Sequence, residues 1–382
     1  MKRITFILAI YLISGNLTTA QISFHNGANM NIPRGLISCT TDGANIYVNG
    51  GFTFTAGYTT EIEKYNISTD SWTVFANSLI PKRYTASKVI GNKLYIFNGY
   101  SSTSYNAKME VVDLTTGSIT YSTDNPNPVE QSGSAVWNNK IYVFGGSQGI
   151  VNSNKLYVFD PATEVWTELA SMPEGKQTKG EIVNGKLYVI GGYNGSASTR
   201  IDMYDIQTNT WTFIMNMPQG VSAHATTYWD NKIWIVGDYT TLTYLAYYDV
   251  VKNEFATVQS NMIGRRHAGT MAVNGKLYVM GGNQNSYSNS ALSSLQVSDG
   301  LLSGLSNNMV DNFKIYMNQS NSILNIAGLT QTSDVTLSDL SGKVFIHEQI
   351  RDNQIDVKKL PVGIFLIQIQ NKSGIITKKF IK

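Results

Sequence analysis

The chain has 382 residues and one cysteine, Cys39, so it can form no disulfide within itself. A catalytic thiol would need a base, and nothing near Cys39 in sequence supplies one. Its setting, Leu36-Ile37-Ser38-Cys39-Thr40, reads as an inner β-strand with a small buried hydrophobe. Charged residues make up only 14%, against roughly 25% in an average soluble protein. With 42% hydrophobic residues, that argues against a disordered chain and a coiled coil. A net charge of +3 gives no polycationic footprint for nucleic acid. Helical periodicity is missing throughout, and after the first twenty residues no apolar run is long enough to span a bilayer. His-x-His and comparable metal-ligand spacings are also missing, and no cofactor is expected.

The first segment has a basic start (Lys2, Arg3), an apolar stretch from Thr5 to Ile13, and small residues up to Ala20. That pattern predicts a secretory signal, residues 1–20, cleaved between Ala20 and Gln21. The apolar stretch is too short for a transmembrane anchor.

From there an aromatic-rich strand ending in a glycine pair recurs. It reads NIYVNGG, KLYIFNG, KIYVFGG, KLYVIGG, KIWIVGD and KLYVMGG, ending at Gly51, Gly99, Gly146, Gly192, Asp238 and Gly282. A period of 44 to 48 residues marks a repeat architecture. Each unit goes on to a second strand ending in an aromatic and Asn or Asp, such as Tyr65-Asn66 or Tyr204-Asp205. Seven residues past that aromatic stands another large residue: Trp72, Trp166, Trp211 or Phe255. Four short strands per unit are predicted.

These residues resemble the Kelch repeat. The resemblance implies an all-β fold: a six-bladed Kelch β-propeller over residues 21–303. The sixth unit lacks an aromatic outer strand, whereas Gln21-Ile22-Ser23-Phe24-His25 is similar to the Trp72 segment. Residues 21–27 are therefore expected to close blade six, protecting two open sheet edges.

After a linker at 304–311, residues 312–382 alternate apolar and polar, as in Val335-Thr336-Leu337-Ser338, with turns between the runs. A small immunoglobulin-like β-sandwich is predicted. Leu340-Ser341-Gly342-Lys343, Leu360-Pro361-Val362-Gly363 and the basic end Lys378-Lys379-Phe380-Ile381-Lys382 resemble the C-terminal sorting domain of the type IX secretion system of Bacteroidetes-type bacteria. The resemblance implies passage through the periplasm to the outside or the cell surface, with the secretion machinery as a partner. Residues 310–382 have nine basic against six acidic residues and the propeller 18 against 20, so neither nucleic acid nor an anionic membrane is an expected partner.

Twelve residues before each strand aromatic lies a position expected at the channel mouth: Gly35, Arg83, Glu130, Lys176, Ser222 and Arg266. His224 and His267 lie just beyond two of them. The loops after the glycine pairs add Phe52, Tyr100, Tyr193, Asn194, Asp238, Tyr239, Asn283 and Tyr287. Aromatic faces among amides and charges suit a sugar or a peptide. With no nucleophile, triad or phosphate-cradling loop legible, the expectation is a monomeric, non-catalytic propeller that binds a carbohydrate or protein. The alternative is a sugar mutarotase or epimerase, similar to N-acetylneuraminate epimerases on six-bladed Kelch propellers, with Glu130 and Arg83 or His224 as the acid/base pair. Copper chemistry of the kind some Kelch propellers carry would have only Cys39, His224 and His267 to draw on.

Overall fold

A computed structural model describes residues 21–53, 55, 57–285 and 290–300, and in the C-terminal part 314–317, 322–327, 332–339, 344–351, 354–371 and 374–382. The expected signal segment and the linker at 304–311 lie outside these residues. The chain divides into two compact units between Asp299 and Gly300.

The first unit contains six four-stranded antiparallel sheets. Blade one is built from Ser38–Thr41, Asn45–Asn49, Ile62–Asn66 and Ser71–Ala76, in that order outward. Blades two to five repeat this order, starting at Ala86, Gly133, Gln177 and Ala225. Blade six takes Gly269–Val273, Lys276–Met280 and Leu295–Ser298 from the end of the unit. Its fourth strand is Phe24–Asn26, antiparallel with Phe24 opposite Ser298. Gln21–Ile22 lie elsewhere, parallel to Gln259–Ser260 at the end of blade five. The innermost strands touch one another in sequence, and the sixth touches the first, which closes the ring.

The second strand of each blade is buried on both faces, which explains its unbroken apolar run. Ile46, Tyr47 and Val48 are at most 2% exposed, and their counterparts in the other blades are buried too. The glycine pair ends this strand because neighbouring backbone crowds it. A Cβ on Gly51 (φ +103) would lie 2.7 Å from the Gly35 carbonyl, and one on Gly99 (φ +99) 2.6 Å from that of Arg83. On the fourth strand, the Trp72, Trp166 and Trp211 rings pack 4.9 to 5.2 Å from Tyr65, Phe159 and Tyr204 of the third. Each indole N–H donates to a carbonyl at the end of the preceding blade: Ala28, Thr123 and Ala170 respectively. These tryptophans therefore join blades as well as filling them.

A second device repeats nearer the axis. Arg34, Lys82 and Lys176 precede the inner strands of blades one, two and four and are buried. They pair with Glu63 (3.0 Å), Glu110 (3.0 Å) and Asp202 (3.5 Å) on the third strands. In blade six Arg265 reaches the Gln296 amide oxygen at 3.1 Å. Glu63, Glu110 and Gln296 each also accept a backbone N–H, from Asn31, Ile80 and Ile263, all at 2.7 Å. In blades three and five the equivalent places hold Val129 with Tyr157 and Val221 with Ala246.

The second unit has a three-stranded sheet (Lys314–Met317, Ile323–Ala327, Gln354–Asp356) and a four-stranded one (Ser333–Asp339, Val344–Ile350, Ile364–Asn371, Gly374–Ile381). Leu324, Ile326 and Ile355 of one sheet join Val335, Leu337, Phe365 and Ile367 of the other in a single core. That makes it a two-layer sandwich.

Candidate functional site

The mouth is formed where each inner strand begins. Gly35, Arg83, Glu130 and Arg266 form bridges to Phe52, Tyr100, Ser147 and Asn283 in the loops that follow the glycine pairs. In blade four Gln177 takes this place, opposite Tyr193. Lys176 is thereby corrected. One residue fewer separates the mouth from Tyr188 in this blade, so a count of twelve falls one residue short and lands on the buried partner of Asp202. Burial pulls the Lys176 ammonium below the ordinary lysine value, and Asp202 and Glu174 oppose that pull. Lys176 is a structural residue.

The next residue in is what shapes the site. Leu36, Tyr84, Gln131, Ala223 and His267 follow the mouth position in five blades, and all are left-handed, with φ between +50 and +62. That conformation aims backbone N–H groups at the neighbouring blade. His267 donates to the Ala223 carbonyl, Leu36 to that of His267, Tyr84 to that of Leu36, and Thr178 to that of Gln131, at 2.8 to 3.3 Å. These hydrogen bonds link blades around the axis and offset the strain of non-glycine residues at positive φ.

Two cavities open here, of about 320 and 430 Å³, and they share Tyr84, Tyr239 and His267. Phe52, Arg83, Arg266 and Asn283 complete the first, and Gln131, Gln177, Tyr193 and Ser222 line the second. Tyr193 and Tyr239 are 43% and 48% exposed, so both side chains reach solvent at the mouth. Tyr239 also roofs Arg266, whose guanidinium lies 4.0 Å from the ring centroid and donates to the Tyr239 carbonyl at 3.1 Å. Arg83 lies within 5.4 Å of the Tyr84 and Tyr100 rings and contacts Glu130 at 3.3 Å.

Burial pushes the Glu130 carboxyl above the usual carboxylate range, and Arg83 opposes the shift. His267, 3.3 Å from the Tyr84 hydroxyl, is pulled down to about 3, chiefly by burial and then by Arg266. Burial pulls His224 to about 4. Both imidazoles are neutral at pH 7. In blade five Asp238 replaces the second glycine. Burial raises its carboxyl, but N–H groups of Thr241, Ser222 and Thr240 outweigh that and hold it below the ordinary range.

The structure thus gathers Phe52, Arg83, Tyr193, Tyr239, Arg266 and His267 around the mouth. Tyr100 and Glu130 stand beside Arg83, outside the two cavities. His224 lies deeper and buried, and Tyr287 is outside the described residues. Sequence reasoning missed Tyr84, Gln131 and Gln177. For Tyr84 and Gln131 the signal was the position directly after Arg83 and Glu130, the one His267 occupies after Arg266; Gln177 is the mouth position of blade four, hidden by that blade's shorter spacing.

Three family models match. The KLHDC2/KLHL20/DRC7 Kelch-repeats domain matches residues 18–181, the Attractin/LZTR1 beta-propeller residues 112–303, half of the chain, and the secretion system C-terminal sorting domain residues 314–382. The chain belongs to the Kelch-repeat β-propellers and carries a type IX sorting domain. Human Kelch-like protein 23 is 28% identical over 128 residues, 32% of this chain and 23% of that protein, so the chain spans under a quarter of that relative. The solved structure of YjhT superposes with a TM-score of 0.61 at 16% identity, covering 70% of this chain and 95% of that one. At that identity the likeness is one of fold. The sorting domain makes this Kelch propeller an exported protein handled by the type IX machinery, and no helix among the described residues is long and apolar enough to cross a membrane.

Proposed function

We propose that the exported propeller is a non-catalytic carbohydrate-binding module whose site is the channel mouth. The observation that carries this reading is the pair of cavities joined by Tyr84, Tyr239 and His267. Exposed tyrosine faces stack on the apolar faces of sugar rings, while Gln131, Gln177, Asn283 and Arg83 offer amide and guanidinium groups to hydroxyls. A glycan-array screen of the full chain, followed by calorimetry on the strongest hit, tests it. Tyr239→Ala should weaken that hit at least tenfold. If only polypeptides bind, the mouth is a protein-docking site and the carbohydrate reading fails.

A second reading, sugar epimerisation, is favoured by one observation: a Glu130 carboxyl raised by burial and held beside Arg83. Adding the protein to freshly dissolved single anomers of candidate reducing sugars and following their interconversion by NMR or polarimetry tests it: acceleration lost in Glu130→Gln supports this reading, and an unchanged rate ends it. The sorting domain supports delivery to the exterior, and cell fractionation would distinguish a released form from a surface-attached one.

A further inference from the structure

Below the mouth the inner strands enclose a narrow shaft. Two cavities of about 40 and 60 Å³ share Ile37, Thr85, Lys179 and Ala268. At about 10–15 Å³ of such space per water, each holds a few waters and no sugar. The shaft takes its chemistry from departures from the repeat. Lys179 pairs with Ile190, two residues past the strand aromatic. Ser38, Ala86, Gly133, Ala225 and Gly269 occupy the matching register in the other blades. Five small residues thus leave room for one long cation. Two residues on, blade two supplies Lys88 and blade four Glu181, both lining the lower cavity.

The charges do not balance. Lys179 donates to the Ser132 carbonyl at 2.8 Å, and Glu181 accepts the Thr226 hydroxyl at 2.8 Å. Among the described residues no ion pair within 4.0 Å joins either lysine to Glu181. The other titratable groups facing the shaft do not help. Burial raises the Cys39 thiol to about 12 and lowers His224 and His267 to about 4 and 3, so all three are neutral at pH 7. Burial also raises the Glu181 carboxyl, with Lys88 opposing. Lys179 is brought down to about 8 by burial and then by Lys88, as expected of two like charges sharing a poorly solvated space. Ser38, Ser134, Thr226 and Thr270 line the same lower cavity, so its wall is polar as well as charged.

We propose that the shaft binds one small monovalent anion, of halide size, held by Lys88 and Lys179. The anion neutralises the second ammonium group and ties the inner strand of blade two to that of blade four across the axis. The full chain is unfolded thermally in sodium chloride and in sodium gluconate at equal ionic strength. Chloride should raise the unfolding temperature saturably, as a ligand of the native state does. The increment should shrink above about pH 8, as Lys179 loses its proton. Lys88→Met and Lys179→Met should each abolish the chloride increment. Should either variant fail to fold, crystals of the unaltered chain soaked in bromide decide the question. An anomalous peak in the shaft beside Lys179 supports the site. Bromide at the surface only, or a chloride increment that survives both substitutions, overturns it.

Discussion

At the perimeter of the ring, Trp72, Trp166 and Trp211 make the same contact three times, ring on ring within a blade and indole N–H to the blade before. At the axis, one equivalent place holds Leu36, Tyr84, Gln131, Ala223 and His267 in turn. The backbone there is as regular as at the rim, since all five share a left-handed conformation and a role in the inter-blade hydrogen bonds. Only the side chains vary. Residues that hold blades together meet a similar demand from blade to blade, and the same tryptophan answers it in three of them. Residues that face the channel are held by their backbone, and their side chains are free to differ.

Substitutions should separate the two regions. The largest effect is expected from Glu110→Ala, which leaves Lys82 buried without its carboxylate and should cost about 4 kcal/mol in denaturant unfolding. Adding Lys82→Val to Glu110→Ala copies the Val221 and Ala246 arrangement of blade five and should recover most of that loss. A double variant no more stable than the single one would show that the charged and apolar blades are not interchangeable. Next comes Trp211→Ala, expected to cost about 3 kcal/mol through lost packing and the lost bond to Ala170. A cost under about 1 kcal/mol would place Trp211 outside the joint between blades.

At the axis the expected signature is pH dependence. His224 and His267 have folded values near 4 and 3, below the ordinary 6.5. Between those limits the unfolded chain binds protons that the native one does not, so their contribution is complete above pH 6.5 and is lost as pH falls toward 4 and then 3. His224→Gln should flatten the stability profile between pH 4 and 6.5, and an unchanged slope would assign the acid sensitivity to other groups. The smallest stability change, within about 0.5 kcal/mol, is expected for Tyr239→Ala, an exposed ring whose removal should register in ligand binding.

The same division explains what the sequence made legible. Six aromatic strands, each followed by one or two glycines, gave the blade count, because each blade turns out of its second strand at the same crowded place. The sorting tail was legible from its turns and alternating strands. The spacing of twelve lands on the residue that bridges to the post-glycine loop at Arg83 and Arg266, and misses it at Lys176, where blade four is one residue shorter. Tyr84 and Gln131 escaped because nothing about a Tyr or a Gln signals a left-handed backbone; the neighbouring blade imposes it. Lys88, Lys179 and Glu181 escaped because strand alternation does not show which side chains of different blades meet in the shaft.

The closure of blade six sets an order of events. Phe24–Asn26 belong to the earliest part of the propeller to emerge in synthesis, yet the strand they pair with, Leu295–Ser298, is the last. Closing so long a loop is entropically costly and slow, and until it happens Leu295-Gln296-Val297 has an open edge able to recruit another chain. The ring therefore cannot be finished piecemeal as the chain appears. Assembly has to wait for nearly the whole propeller, so a chain interrupted before Ser298 would be unable to close its ring whatever the quality of its first five blades.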